Sequence, residues 1–167
     1  MFRGVRVSCL YDPKFRCSGR SSMANLLEPY RVRDWMTSNP ITISPRTTLP
    51  EAHRIMKEHR IRRLPVIDEH GRLVGIVTLG DVREASPSGA TSLSIFELNY
   101  LLACLTVDKI MTRKVITVTP DTPIVEAARL MLEHKIGGLP VVENDRVVGI
   151  ITESDIFKMV VRLMGED

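Results

Sequence analysis

Gly75-Ile76-Val77-Thr78-Leu79-Gly80-Asp81 is matched further along the chain by Gly149-Ile150-Ile151-Thr152-Glu153-Ser154-Asp155. Working outward from these two stretches, Trp35-Met36-Thr37 through Val82 aligns with Ile110-Met111-Thr112 through Ile156, about 75 residues apart. Ile41-Thr42-Ile43-Ser44-Pro45 pairs with Ile116-Thr117-Val118-Thr119-Pro120, Glu51-Ala52-His53-Arg54-Ile55-Met56 with Glu126-Ala127-Ala128-Arg129-Leu130-Met131, and Leu64-Pro65-Val66-Ile67 with Leu139-Pro140-Val141-Val142. One residue fewer around Asn144-Asp145 than in Glu69-His70-Gly71 is the only gap required. Roughly half the aligned positions are identical, which makes this an internal repeat.

Both copies carry the same order of elements. Ile41 to Ile43 reads as a short strand stopped by Pro45, which cannot donate to a ladder. A helix follows, with Thr48 and Glu51 at capping-box spacing in the first copy, and Thr122 as N-cap with Pro123 at the first helical position in the second. Leu49, Ala52, Ile55 and Met56 share one face of it, as do Ile124, Ala127, Leu130 and Met131. Leu64 to Ile67 and Leu73 to Val77 read as a hairpin turned through Asp68-Glu69-His70-Gly71. Asp81 opens a second helix, Ser86-Pro87-Ser88-Gly89 is a loop, and Ser94 with Glu97 starts a bridging helix bearing Ile95, Phe96, Leu98, Leu101, Leu102 and Leu105. The fold class is α+β: two β-α-β-β-α repeats, each sheet too small to bury both faces alone, so the copies must pack together. The divisions are residues 1–30 as a flexible basic extension, 31–86 as the first repeat, 87–107 as loop and bridging helix, and 108–164 as the second repeat.

With 167 residues, 44% hydrophobic and 26% charged, the chain can bury a sizeable core. Its net charge of +3 is spread among interleaved acids, which argues against nucleic acid as a partner. Arg3, Arg6, Lys14, Arg16 and Arg20 against the lone Asp12 make the leader an unstructured extension, with a transit peptide and a start at Met23 as the alternatives. Cys9, Cys17 and Cys104 have no metal-ligand spacing, and no apolar stretch reaches the ~20 residues of a membrane span, so a cytoplasmic protein is expected.

The two Gly-hydrophobic-hydrophobic-Thr-x-x-Asp segments, in register with two Leu-Pro-Val strands, closely resemble tandem cystathionine β-synthase (CBS) domains over about residues 31 to 164. The resemblance implies two repeats about a pseudo-two-fold axis, a regulatory rather than enzymatic role, and two clefts for an adenosine ligand. In that family the Asp of one repeat holds the ribose hydroxyls, while the other repeat supplies its first strand and the residues before its Leu-Pro. Such roles make chemical sense: a carboxylate accepts two hydroxyl donors, a Thr or Ser at a helix start donates to phosphate, and arginines neutralise it.

Carried over by position, one cleft combines Thr152, Ser154 and Asp155 with Asn39, Ile41 and Thr42 and with Arg62, Arg63, Leu64 and Pro65. AMP, ADP or ATP is the expected ligand there. The other combines Thr78 and Asp81 with Ile116 and Thr117, but has Gly80 in place of Ser154 and Gly137-Gly138 in place of the arginines. That cleft is expected to hold phosphorylated ligands weakly or not at all, its glycine lining leaving room for a bulkier group such as S-adenosylmethionine.

Simpler readings stand beside these. Asp81 and Asp155 can be helix N-caps, and Arg62 and Arg63 solvated surface groups. His59 and His134 close helices, Glu51 and Glu126 favour helix starts, His53 and His70 lack a paired ligand, and Trp35, Met36, Ile110 and Met111 are packing residues. No catalytic triad, carboxylate pair or phosphate-binding glycine loop is present, which argues against an enzyme. The leading function is an adenosine-nucleotide sensor that signals to an unidentified partner protein. The alternatives are a ligand-free dimerisation scaffold and a nucleic-acid-binding module. A homodimer is expected through Leu130, Met131, Ile156, Met159 and Val160.

Overall fold

The structure, a computed structural model, describes residues 30–85 and 105–165. The basic extension, the Ser86-Pro87-Ser88-Gly89 loop, the helix read from Ser94 and all three cysteines lie outside the described residues. In chain order the elements are α1 (Val32–Trp35), β1 (Thr37–Ser38), α2 (Leu49–Glu58), β2 (Arg63–Ile67), β3 (Leu73–Thr78) and α3 (Leu79–Ala85). A short 3-10 turn over Val107–Lys109 leads to α4 (Ile124–His134), β4 (Gly138–Glu143), β5 (Arg146–Thr152) and α5 (Glu153–Met164).

Each repeat is an antiparallel hairpin with helices against it. β2 and β3 pair with Leu64 opposite Val77, and β4 and β5 pair with Leu139 opposite Ile151. All four side chains are fully buried. Both hairpins shift register at the same place, between Val66 and Ile67 and between Val141 and Val142. The turns differ: Gly71 sits at φ 79°, whereas Asn144 and Asp145 both take positive φ, the conformation a two-residue hairpin turn demands.

The expected strand at Ile41–Ile43 is reduced to a single bridge, Ile43 to Val66, and its counterpart to Val118 against Val141. Proline explains why. The Ile43 N–H donates to the Pro65 carbonyl (3.1 Å) and its carbonyl accepts from Ile67 N–H (2.9 Å). Extending this parallel ladder backward needs an N–H on Pro65, and forward an N–H on Pro45; neither exists. Pro140 and Pro120 limit Val118 in the same way.

Helix starts also depart from expectation. Thr48 is the N-cap of α2 but its hydroxyl makes no cap hydrogen bond, so the Thr48/Glu51 capping box is not formed. α4 begins one residue later than expected, with Pro123 as N-cap, and the Thr122 hydroxyl instead accepts from Thr119 N–H (3.0 Å). Backbone carbonyls from distant segments do the capping: Leu49 N–H donates to Leu105 (3.0 Å) and Ile124 N–H to Tyr30 (3.1 Å). A free N–H at a helix start needs an acceptor, and its chemical origin is immaterial.

These distant segments are exchanged between the repeats. β1 adds to the second sheet, Thr37 opposite Ile150, while Thr112 exchanges hydrogen bonds of 3.0 and 2.9 Å with Ile76 of the first. Val32 lies in the second core with Ile124, Leu139 and Ile151; Val107 and Met111 lie in the first with Leu64, Val66 and Val77. Gly75 and Gly149 make this possible. A Cβ on Gly75 would stand 2.5 Å from Met111 Sδ, and one on Gly149 2.4 Å from Met36 Sδ. The glycine of each Gly-hydrophobic-hydrophobic-Thr run is therefore the notch that receives a methionine from the other half. Met36, Met111, Trp35 and Ile110 pack against the two cores, as expected of packing residues.

Candidate functional site

The exchange leaves two concave clefts, one at the start of α5 and one at the start of α3. In both, a strand ends in Thr and a helix begins, and the Asp three residues on folds back. At α5, Asp155 Oδ2 accepts from Thr152 N–H (3.0 Å) and from the Thr152 hydroxyl (2.7 Å). Asp81 Oδ2 accepts from Thr78 N–H (2.7 Å) and hydroxyl (2.8 Å). Neither Asp is an N-cap. Thr152 caps α5, with Asp155 at the third helical position closing a reciprocal capping arrangement. Asp155 is 5% exposed, the only buried charged residue among those described, and its Oδ1 accepts from Lys158 Nζ (3.1 Å). No such cation meets Asp81 among the described residues.

The Asp155 cleft has a volume of about 410 Å³. It gathers Asn39, Ile41, Arg62, Arg63, Thr152, Ser154 and Asp155. Thr42 does not line it, because extended backbone sends successive side chains to opposite sides. Leu64 and Pro65 are buried behind it and position the arginines from the core. Among the described residues no hydrogen bond engages the Ile41 backbone, since the ladder that would pair it stops at Pro65. The cleft thus presents, side by side, an acidic helix start, the extended backbone at Ile41 and two guanidinium groups.

The Asp81 cleft, about 460 Å³, gathers Thr78, Asp81, Ile116, Gly137 and Gly138. Thr117 lies outside it, by the same alternation. Gly137-Gly138 were expected to leave this cleft without cations, and here the structure differs: Arg62, Arg63, Arg83, Lys114 and Lys135 all line it. The glycines are the reason. A Cβ on Gly137 would lie 2.2 Å from Arg63 Nη2, and one on Gly138 3.3 Å from Arg63 Cδ, so the arginine lies across the surface that two side chains would otherwise fill. Burial there, then neighbouring Arg62, pulls the Arg63 pKa down, partly opposed by Glu153.

The CBS domain model matches residues 32–88 and 107–162, more than half of the chain. The chain belongs to the CBS domain family. It is 37% identical over 129 residues to L-aspartate semialdehyde sulfurtransferase of Methanocaldococcus jannaschii, a match covering 77% of this chain and 23% of that protein. It therefore spans about a quarter of the length of that curated relative. Among solved structures, the CBS domain pair of protein MJ0100 in complex with 5′-methylthioadenosine and S-adenosyl-L-methionine is 36% identical, with TM-score 0.67, covering 80% of this chain and 98% of that one. CBSX2 in complex with AMP is 30% identical, with TM-score 0.66, covering 81% and 98%.

Several lining residues of this CBS pair were not anticipated: His59, Arg60 and Lys158 in one cleft, and Arg83, Lys114 and Lys135 in the other. Lys158 was within reach, being one helical turn after Asp155. Lys114 was too, being the repeat counterpart of Asn39. Among the described residues no cluster of three metal-ligating side chains occurs, and no helix is long and apolar enough to cross a membrane.

The apolar face named for dimerisation is corrected in part. Met131 and Met159 are buried in this chain's own second core, and Leu130 and Ile156 pack partly against it. Helical periodicity aims these four inward. Of the five named residues Val160 is exposed, and the outer faces of α4 and α5 also expose Leu132, Phe157, Val161 and Met164.

Proposed function

We propose that this CBS pair is a regulatory module that binds an adenosine nucleotide in the Asp155 cleft and passes its occupancy to a partner protein, with no reaction of its own. One observation carries this reading: Asn39 and Ile41, Arg62 and Arg63, and Thr152, Ser154 and Asp155, from three separate parts of the sequence, line one cavity. The bound ligands of MJ0100 and CBSX2, all adenosine compounds, support the ligand class.

Each group has a task. The Asp155 carboxylate takes the ribose hydroxyls with its remaining lone pairs; Lys158, its side chain 72% exposed, is free to swing toward the phosphate. Ser154 in the first turn of α5 and the two arginines hold that phosphate. The unpaired backbone at Ile41 reads the adenine edge. Occupancy changes the packing of the exchanged segments, and a partner that favours one packing senses it. We further infer a cytoplasmic homodimer joined through the outer faces of α4 and α5, since one self-complementary apolar patch suffices for a two-fold contact. Light scattering giving a monomer mass at micromolar concentration overturns the dimer.

Calorimetry with AMP, ADP, ATP and S-adenosylmethionine tests the sensor. Asp155→Ala should weaken AMP by roughly ten- to a hundredfold, the loss of a charge-assisted contact. If every AMP site of the wild type keeps its affinity in that variant, the cleft is wrongly assigned. If no adenosine compound binds the wild-type chain, the sensor reading fails.

A further inference from the structure

Arg62 and Arg63 line both clefts. They stand at the entry to β2, and no equivalent arginines stand at the entry to β4, because the matching positions are Gly137 and Gly138. A symmetric pair would give each cleft its own two arginines; this chain has one pair for two clefts. Arg63 lies over Gly137 and Gly138, close to the Glu153 carboxylate, which a Cβ on Gly137 would approach to 2.7 Å. Its Cδ and Nη2 thus lie on glycines that line the Asp81 cleft, and the same residue lines the Asp155 cleft.

We infer that Arg63 is a shared cation that couples the two clefts, so that a phosphate bound in either weakens phosphate binding in the other. The sign follows from charge. One guanidinium that can face only one of two phosphates serves each less than it serves one alone. Each cleft keeps cations of its own, Arg60 and Lys158 on one side and Arg83, Lys114 and Lys135 on the other, so each binds when the other is empty. The depressed pKa of Arg63, set by burial and by Arg62, agrees with a guanidinium that gains from an added anion. This inference rests on the proposed sensor reading and adds a regulation to it: phosphorylated ligands compete across the axis, whereas an uncharged adenosine compound in one cleft leaves the other free for a nucleotide.

The test loads the clefts singly and together. Calorimetry with AMP on Asp81→Ala reports the Asp155 cleft alone, on Asp155→Ala the Asp81 cleft alone, and on the wild type both. Because either change removes a helix-start contact, Asp→Asn versions serve where an alanine chain does not fold. The second AMP on the wild type should bind about tenfold or more weaker than the same cleft binds it alone, a common size for coupling between sites. The penalty should vanish for adenosine, which lacks phosphate, and for AMP in Arg63→Met. Two AMP molecules bound with the single-cleft constants would overturn the sharing, as would a penalty that survives in Arg63→Met or AMP binding confined to one cleft. None of these results overturns the sensor reading unless the single AMP-binding cleft proves to be Asp81's; that reading fails separately, and takes this inference with it, if no adenosine compound binds the wild type.

Discussion

The two clefts start from nearly the same parts and end differently equipped. Thr78 and Asp81 reproduce the hydrogen bonds of Thr152 and Asp155 to within a few tenths of an ångström. Besides Gly80 against Ser154 and the Lys158 contact on Asp155, the clefts differ in two residue pairs, Arg62-Arg63 against Gly137-Gly138, whose effect is opposite to the local expectation. Glycine did not empty the Asp81 cleft of charge; it opened a surface for an arginine from the other repeat to lie on. In a structure built from exchanged halves, a missing side chain is informative chiefly about what occupies its place.

The largest effects test how far the halves are separate at all. Leu64 and Leu139 occupy the same position in the two repeats and both are fully buried. Truncating either to Ala should cost about 2–5 kcal/mol, the range for a buried leucine. Each core includes segments from the other half of the chain, Val32 in one and Val107 with Met111 in the other. Both variants should therefore shift a single unfolding transition, read by urea denaturation followed by circular dichroism. Two separated transitions, one moved by Leu64→Ala and the other by Leu139→Ala, would show that the repeats fold independently and that the exchange contributes little.

The repeat, the hairpins and the inward faces of α2 and α4 were legible because each rests on short-range periodicity: Leu49, Ala52 and Met56 recur at helical spacing whatever surrounds them. What could not be read depended on a partner far away in sequence. Thr48 and Thr122 look like side-chain caps until Leu105 and Tyr30 arrive to cap their helices. Ile41 looks like a strand residue until Pro65 is seen to be the partner that lacks an N–H. The same holds in the clefts. Asp155 and Ser154 announce themselves in a local motif, whereas Arg63 becomes a residue of the Asp81 cleft only by lying over Gly137 and Gly138 of the other repeat.

A smaller effect sharpens the comparison at the ends of α2 and α4. Arg60 and Lys135 hold the same place after their helices, at φ 54° and 53°, where glycine is the cheaper residue. Each also lines a cleft. Arg60→Gly and Lys135→Gly should each raise the unfolding free energy read by urea denaturation, by no more than about 1 kcal/mol once the added freedom of the unfolded chain offsets part of the relief. AMP binding should fall in the cleft that loses its cation, Asp155's for Arg60 and Asp81's for Lys135. If both replacements stabilise the fold and neither weakens AMP, the cations at these caps are incidental to the clefts.

The smallest effect lies in the turns that distinguish the two hairpins. The first is organised by a carboxylate: Asp68 Oδ1 accepts from the backbone N–H groups of Arg72 and His70, both at 2.9 Å, and Oδ2 accepts from Arg72 Nε at 2.8 Å. The Arg72 N–H foremost, with the Arg72 guanidinium and the His70 N–H, holds the Asp68 carboxyl below the usual carboxylate range, against a smaller opposing pull from desolvation. The second hairpin turns instead on the backbone of Asn144 and Asp145. A carboxyl whose folded-state pKa is depressed stabilises the fold above its unfolded value of 3.8, and that contribution is lost as pH falls through the lower folded value. Asp68→Asn should therefore lower the urea midpoint at pH 6 and leave a smaller difference from the wild type as pH drops below about 4, where the wild-type carboxyl also becomes protonated. Asp145→Asn controls for the change of charge alone. The same pH dependence in Asp68→Asn as in the wild type would mean that the Arg72 and His70 contacts add nothing to folding, and that the two turns differ in geometry but not in what stabilises them.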